Sequence, residues 1–193
     1  MKTLRRILIA LLTLSLMLPS AIAAETKLDG IYNYGDRFII SYPGDWDVLV
    51  DEEYNTETEI FAGMLYSLED TGLNVEIYMY YYADWWDVNL MNMAAEEVKA
   101  YGEMLLETNQ LYSPELRGYV YTTRDGIPFV ITHEIDDLGP MFLADTMLDG
   151  WNVLIYGYAY TDDTYSVGRE LTDADYELFK SIVESYASWP TAE

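Results

Sequence analysis

Apolar and polar positions alternate with the two-residue period of a strand along most of this chain, and shift to helical spacing in two places. The clearest alternation sets Leu73, Val75, Ile77, Met79 and Tyr81 on one side, with Asn74, Glu76, Tyr78, Tyr80 and Tyr82 on the other. A strand covered on one face has this pattern. The same signal, bounded by Gly, Pro, Asn and Asp, predicts strands over 38–42, 46–50, 60–68, 117–123, 129–136, 141–148 and 151–161. Turns are expected at Pro43-Gly44-Asp45, Asp70-Thr71-Gly72, 124–128 and Leu138-Gly139-Pro140, with the tightest hairpin at Asp149-Gly150. Residues 28–36 are rich in turn formers, and 51–59 are an acidic stretch expected to be a solvated loop.

Helical spacing appears first after Asn89 and Asn92, either of which can cap a helix reaching about Glu107. Its apolar stripe is Met91, Ala94, Ala95, Val98, Tyr101 and Leu105, and Glu96, Glu97, Lys99 and Glu103 form the wet face. The second helix starts at Thr172 as N-cap, with Asp173 and Asp175 in the first turn and Tyr176, Phe179, Ile182, Val183 and Tyr186 along the buried stripe. On 151–161, Trp151, Val153, Ile155, Gly157 and Ala159 share a face whose small residues predict a closely packed helix. Hairpin-linked strands with two separated helices imply an α+β fold, an antiparallel sheet flanked by helices.

The first residues stand outside that fold. Lys2, Arg5 and Arg6 precede an almost unbroken apolar run over 7–18, and Ala21-Ile22-Ala23 offers the small residues of a signal peptidase site. The run is shorter than the ~20 residues that span a bilayer. The sequence therefore predicts a signal peptide over 1–23, cleaved near Ala23/Ala24, and a single domain over 24–193, secreted or periplasmic and without stable membrane insertion. No cysteine stands near the cleavage site, which removes a lipid anchor.

Charge narrows the partners. The 193 residues hold Lys+Arg 10 against Asp+Glu 34. Three of the basic residues lie in the leader, so the remainder carries seven against 34, a net charge of -27. Such a polyanion repels nucleic acids, which need Lys and Arg to displace phosphate counterions. The lack of cysteine excludes disulfides, thiol nucleophiles, thiolate metal sites and iron–sulfur clusters. No sequence pattern calls for a cofactor.

The run Phe38 to Val48, with its Tyr42-Pro43-Gly44-Asp45-Trp46 turn, the central helix, the antiparallel strands and the closing helix through Tyr186 together resemble the PsbP-like superfamily. The resemblance covers about residues 30 to 190. It implies an α/β/α sandwich around an antiparallel sheet, used mostly as a non-catalytic binding or assembly scaffold. No functional residue of the family carries over to a position here.

Candidate chemistry is sparse. His133 is the sole histidine, and His133-Glu134-Ile135-Asp136-Asp137 lacks the second histidine of a zinc-protease helix and falls in a strand pattern. Alternation sets it beside Phe129, Ile131 and Ile135, as a partly buried structural residue. Asp162, Asp163, Asp136 and Asp137 cluster oxygen donors suited to calcium, without the spacing of a calcium loop. Glycoside hydrolysis would need two carboxylates about 5 to 10 Å apart across a cleft. Among the many acidic residues no pair stands out.

The 19 tyrosines are the most unusual feature. Tyr78, Tyr80 and Tyr82 share one strand face, and Tyr156, Tyr158 and Tyr160 another. An apolar ring with a polar tip suits either a helix-covered sheet or a recognition surface. Asp84-Trp85-Trp86-Asp87 is the loop expected to expose Trp85 and Trp86. The leading expectation is thus an exported, non-catalytic binding or accessory protein whose aromatic and acidic surface engages a protein or glycan. The alternative is a secreted hydrolase using a carboxylate acid/base pair.

Overall fold

The computed structural model describes residues 27–34, 37–50, 59–67, 72–110, 116–136, 139–159 and 169–188. Among these residues ten strands and two helices follow in the order β1 (Gly30–Tyr34), β2 (Phe38–Tyr42), β3 (Trp46–Val50), β4 (Glu59–Ser67), β5 (Leu73–Tyr81), α1 (Ala95–Gln110), β6 (Arg117–Thr122), β7 (Pro128–Asp136), β8 (Gly139–Leu148), β9 (Trp151–Ala159), α2 (Asp173–Glu184) and β10 (Ala187–Ser188). Two short 3₁₀ turns, Ala83–Trp85 and Leu90–Asn92, lie between β5 and α1. The fold is α+β, and its strand pairs are antiparallel.

Seven strands make the main sheet, in the order β3-β4-β5-β9-β8-β7-β6. One face carries Leu73, Val75, Ile77 and Met79 of β5, Val153 and Ile155 of β9, Phe142 and Ala144 of β8, and Phe129 and Ile131 of β7. These join Phe179, Ile182 and Val183 of α2 in the principal core, all at most 4% exposed. Burying one such side chain contributes about 1.5–3 kcal/mol. The small-residue signal on β9 is met by α2: a Cβ on Gly157 would lie 2.7 Å from Cδ2 of Phe179.

The same face is also covered by a small sheet, β1-β2-β10. Phe38 and Ile40 of β2 enter the core, and Tyr186 stacks on Phe38 at 5.5 Å and edge-on to Phe129 at 5.6 Å. This sheet departs from the expected turn at 28–36. Gly30 and Asn33 are poor strand formers, but pairing with β2 from Gly30↔Tyr42 to Tyr34↔Phe38 supplies the backbone partners that override propensity. Gly139 and Pro140 likewise open β8 rather than forming a turn, with Gly139 at φ 117, a conformation other residues rarely adopt.

The opposite face is covered by α1 over the β6–β7–β8 half. Gly102 lets the helix approach, since a Cβ there would sit 3.3 Å from Val120 and 3.4 Å from Val130. Leu90, Tyr101, Val130 and Met147 form a second, smaller core. Asn89 caps the 3₁₀ turn Leu90–Asn92 by accepting from the Met91 N–H, while the Glu97 side chain accepts from the Ala94 N–H ahead of α1. Met91, expected on the buried stripe, is 42% exposed because it falls in that turn and outside the helix.

At α2 the capping box is complete. Thr172 Oγ1 accepts from the Asp175 N–H, and the Asp175 carboxylate accepts from the Thr172 N–H. Arg169 donates to both oxygens of Asp175, at 2.7 and 2.8 Å. Burial alone would raise the Asp175 pKa, but the hydrogen bonds from Arg169 and Thr172 outweigh it and hold the carboxyl at about 2. No described helix is long and apolar enough to cross a membrane.

Candidate functional site

The even-numbered residues of β5 and β9 point to the face that α1 covers only in part. In register, Asn74 faces Tyr158, Glu76 faces Tyr156, Tyr78 faces Leu154 and Tyr80 faces Asn152. The two tyrosine pairs therefore share one face and interlock. Tyr78 and Tyr80 stack with centroids 6.1 Å apart, Tyr156 and Tyr158 with centroids 6.0 Å apart, and Tyr78 meets Tyr156 edge-on at 5.8 Å. Tyr80, Tyr78, Tyr156 and Tyr158 thus form a continuous strip across two strands.

Burial is graded along the strip. Tyr78, Tyr80 and Tyr156 are half-buried, whereas Tyr158 is buried against Met141 and Tyr156. Polar groups lie between the rings: Tyr78 Oη donates to Glu76 at 2.9 Å, and Asn74 and Asn152 share the same face. Tyr160 lies outside the described residues, as do Asp137, Asp162 and Asp163. Asp136 belongs to β7, but its side chain is likewise outside them. Among the described residues no group of three or more His, Asp or Glu could hold a metal ion.

Trp85, Trp86 and Tyr82 sit at the Tyr80 end, 37%, 65% and 47% exposed. Their segment is pinned to the β8–β9 hairpin. The Tyr82 N–H donates to the Gly150 carbonyl at 2.9 Å, the Gly150 N–H to the Val88 carbonyl at 3.2 Å, and Asn89 Nδ2 to Asp149 at 2.9 Å. Gly150 is needed here for two reasons, its φ of 80 and the approach of Trp86, whose Cα would be 2.8 Å from a Cβ. Trp85 rests edge-on against Tyr101 at 6.5 Å.

Tyr101 connects this loop to the strip. Its hydroxyl donates to Asp145 Oδ1 at 3.0 Å, and Asn152, opposite Tyr80, donates to the same oxygen at 3.0 Å. Burial, then the Asp145 charge, push the Tyr101 phenol far above its usual range, so it stays a donor. Periodicity could not assign this network, although its signal was present: Asp145 is the one charged side chain in the strand Met141 to Leu148.

His133 lies elsewhere. It shares the principal core face with Phe129 and Ile131, as alternation predicts, but it occupies the margin and is exposed rather than partly buried. Its ring packs edge-on to Phe142 at 4.8 Å and beside Tyr176 at 5.1 Å, and burial lowers its pKa. The carboxyls of Asp29 and Asp175 are held below the ordinary range by Lys27 and by Arg169 with Thr172, opposite to the upward shift a general acid needs.

No family model matches the sequence, and no curated protein does. A crystal structure from Bacteroides thetaiotaomicron VPI-5482 is similar over 84% of this chain and 49% of its own, with 11% identity and a TM-score of 0.42. The chain spans about half the length of that structure.

Proposed function

We propose that the protein is an exported, non-catalytic binding protein of PsbP-like α/β/α architecture whose tyrosine strip engages a neutral glycan. The observation that carries this reading is the joining of Tyr80, Tyr78 and Tyr156 into one part-exposed row, flanked by Trp85 and Trp86. Part-exposed rings spaced along a strand offer apolar surface for successive sugar rings, each contact worth about 1 kcal/mol. Asn74 and Glu76, half-buried on the same face, supply donors and acceptors that sugar hydroxyls need. The negative charge of the chain favours a neutral ligand over an acidic one. Export rests on the leader over 1–23, and the architecture on the element order together with helices on both sides of the sheet.

Affinity electrophoresis through soluble neutral glucan, mannan and xylan tests the reading. At least one polysaccharide should retard the wild type, and Tyr78→Ala and Tyr156→Ala should each weaken retardation about fivefold while both variants remain folded. Retardation by none of them, or undiminished retardation of both variants, would overturn the proposal. Mass spectrometry of exported protein should show a chain beginning at Ala24 or Glu25.

A further inference from the structure

On the other side of the sheet, α2, the β6–β7 turn and the segment before β1 enclose a cleft of about 510 Å³. Its lining includes Lys27, Tyr121, Arg124, Glu177, Lys180 and Glu184. Seven basic residues follow residue 23 in a chain with 34 acidic ones, and three of the seven line this opening. A cleft drawn at random from this surface would be strongly negative. Lys27 is paired with Asp29 at 2.8 Å, which leaves Arg124 and Lys180 against Glu177 and Glu184, a balanced lining on a strongly acidic chain.

Glu184 is engaged within the protein: it accepts from the Tyr121 hydroxyl and from the Arg124 backbone N–H at 2.9 Å, and the Arg124 guanidinium lies 3.7 Å away. Burial, then Glu184, push the Tyr121 phenol up to about 12, so it remains a neutral donor. Lys180 has a different support. Its ammonium lies over the Tyr121 ring, 5.0 Å from the centroid, and among the described residues it forms no ion pair. A cation held by a π face keeps its N–H donors for a further partner.

We propose that this cleft is a binding site for a small ligand of sugar-ring size bearing one anionic group, which pairs with Lys180 and Arg124. The volume lies within the range of small-molecule sites. Planar Arg124 suits a carboxylate, sulfate or phosphate oxygen pair, with Lys180 as a point charge beside it. The site is separate from the tyrosine strip and stands whether or not that strip binds glycan.

Two-dimensional amide NMR on the ¹⁵N-labelled mature protein tests it, with inorganic phosphate, glucuronate and glucose as probes at constant ionic strength. Saturable shifts of the Arg124, Ser181 and Glu184 amides are expected with an anion below about 100 mM. Lys180→Gln and Arg124→Gln, both surface changes, should each weaken binding about tenfold. Tyr78→Ala should leave it unchanged. Tighter binding of glucuronate assigns the site to acidic sugars, and equal or tighter binding of phosphate assigns it to free anions. No saturable shift with either anion, equal shifts with glucose, or unchanged affinity in both charge variants would overturn the proposal.

Discussion

Tyr101 of α1 donates its hydroxyl to Asp145 of β8 across 3.0 Å, and this bond ties the helix over the sheet to the middle of the sheet itself. The carboxylate has a second donor in Asn152. Tyr101→Phe should therefore leave the fold intact but remove one charge-assisted bond, costing about 2 kcal/mol. Urea unfolding measures the loss, and amide exchange should quicken in Ala95–Gln110. Unchanged stability and exchange would show that Asp145 is satisfied without the helix.

The Arg169–Asp175 pair predicts an acid limb of the stability curve. Asp175 titrates at about 2 in the folded state against 3.8 as its ordinary value. The unfolded chain binds the extra proton in between, so the stabilisation is complete above pH 3.8 and fades as pH falls towards 2. Asp175→Asn also weakens the helix cap, with an expected loss of about 2 kcal/mol at neutral pH. Chemical unfolding of both proteins between pH 6 and 2 should show that difference shrink on the acid side. A constant difference would contradict the assignment.

Gly157→Ala places a methyl where Phe179 already sits, 2.7 Å from the new Cβ. Phe179 is fully buried, and moving it disturbs Phe142, 3.4 Å from the same Cβ. Overpacking of this kind should cost about 1–3 kcal/mol, read as a lowered urea midpoint at constant slope.

Tyr186 offers a change of opposite sign. Its ring is fully buried between Phe38 and Phe129, yet its hydroxyl has no hydrogen-bond partner among the described residues. Tyr186→Phe removes a desolvated polar group and keeps the ring, and should stabilise the protein by about 1 kcal/mol. A loss of similar size would reveal a bond that the hydroxyl does make.

His133 should titrate below 6.5, because burial against Phe142 and Tyr176 disfavours its charged form. Its contribution is present above that value and declines as pH falls through the folded pKa, since the unfolded chain takes up the proton first. A ¹H NMR titration reads the pKa directly. His133→Gln should cost less than about 1 kcal/mol, in keeping with an exposed ring packed edge-on at the sheet margin.

What the sequence made legible was set by local periodicity. The strands β2, β3 and β5, the Asp149-Gly150 hairpin and the closing helix announce themselves because the burial of each follows its own alternation or stripe, whereas in α1 only the Val98, Tyr101 and Leu105 part of the expected stripe is covered and Met91, Ala94 and Ala95 are exposed. β1 was hidden, since Asp29, Gly30 and Asn33 signal a turn and only the pairing with β2 makes a strand of them. The candidate site was half legible. Alternation put Tyr78 with Tyr80 and Tyr156 with Tyr158, but that the two pairs share a face depends on the β5–β9 register. Tyr101, Asp145 and Asn152 come from three different elements, and no local pattern links them.

The β2–β10 pairing also makes closure of the principal core a long-range event. Ser41 and Ser185 are joined by hydrogen bonds across a separation of 144 residues, and Ala187 pairs with Ile39. The principal core is thus sealed by a segment far along the chain that closes back onto β2. Contacts of such high order slow folding, because a long loop must be ordered before they repay it. Until α2 docks, the sheet lacks part of its cover, and the apolar row of Phe129, Phe142 and Ile155 stays open to water.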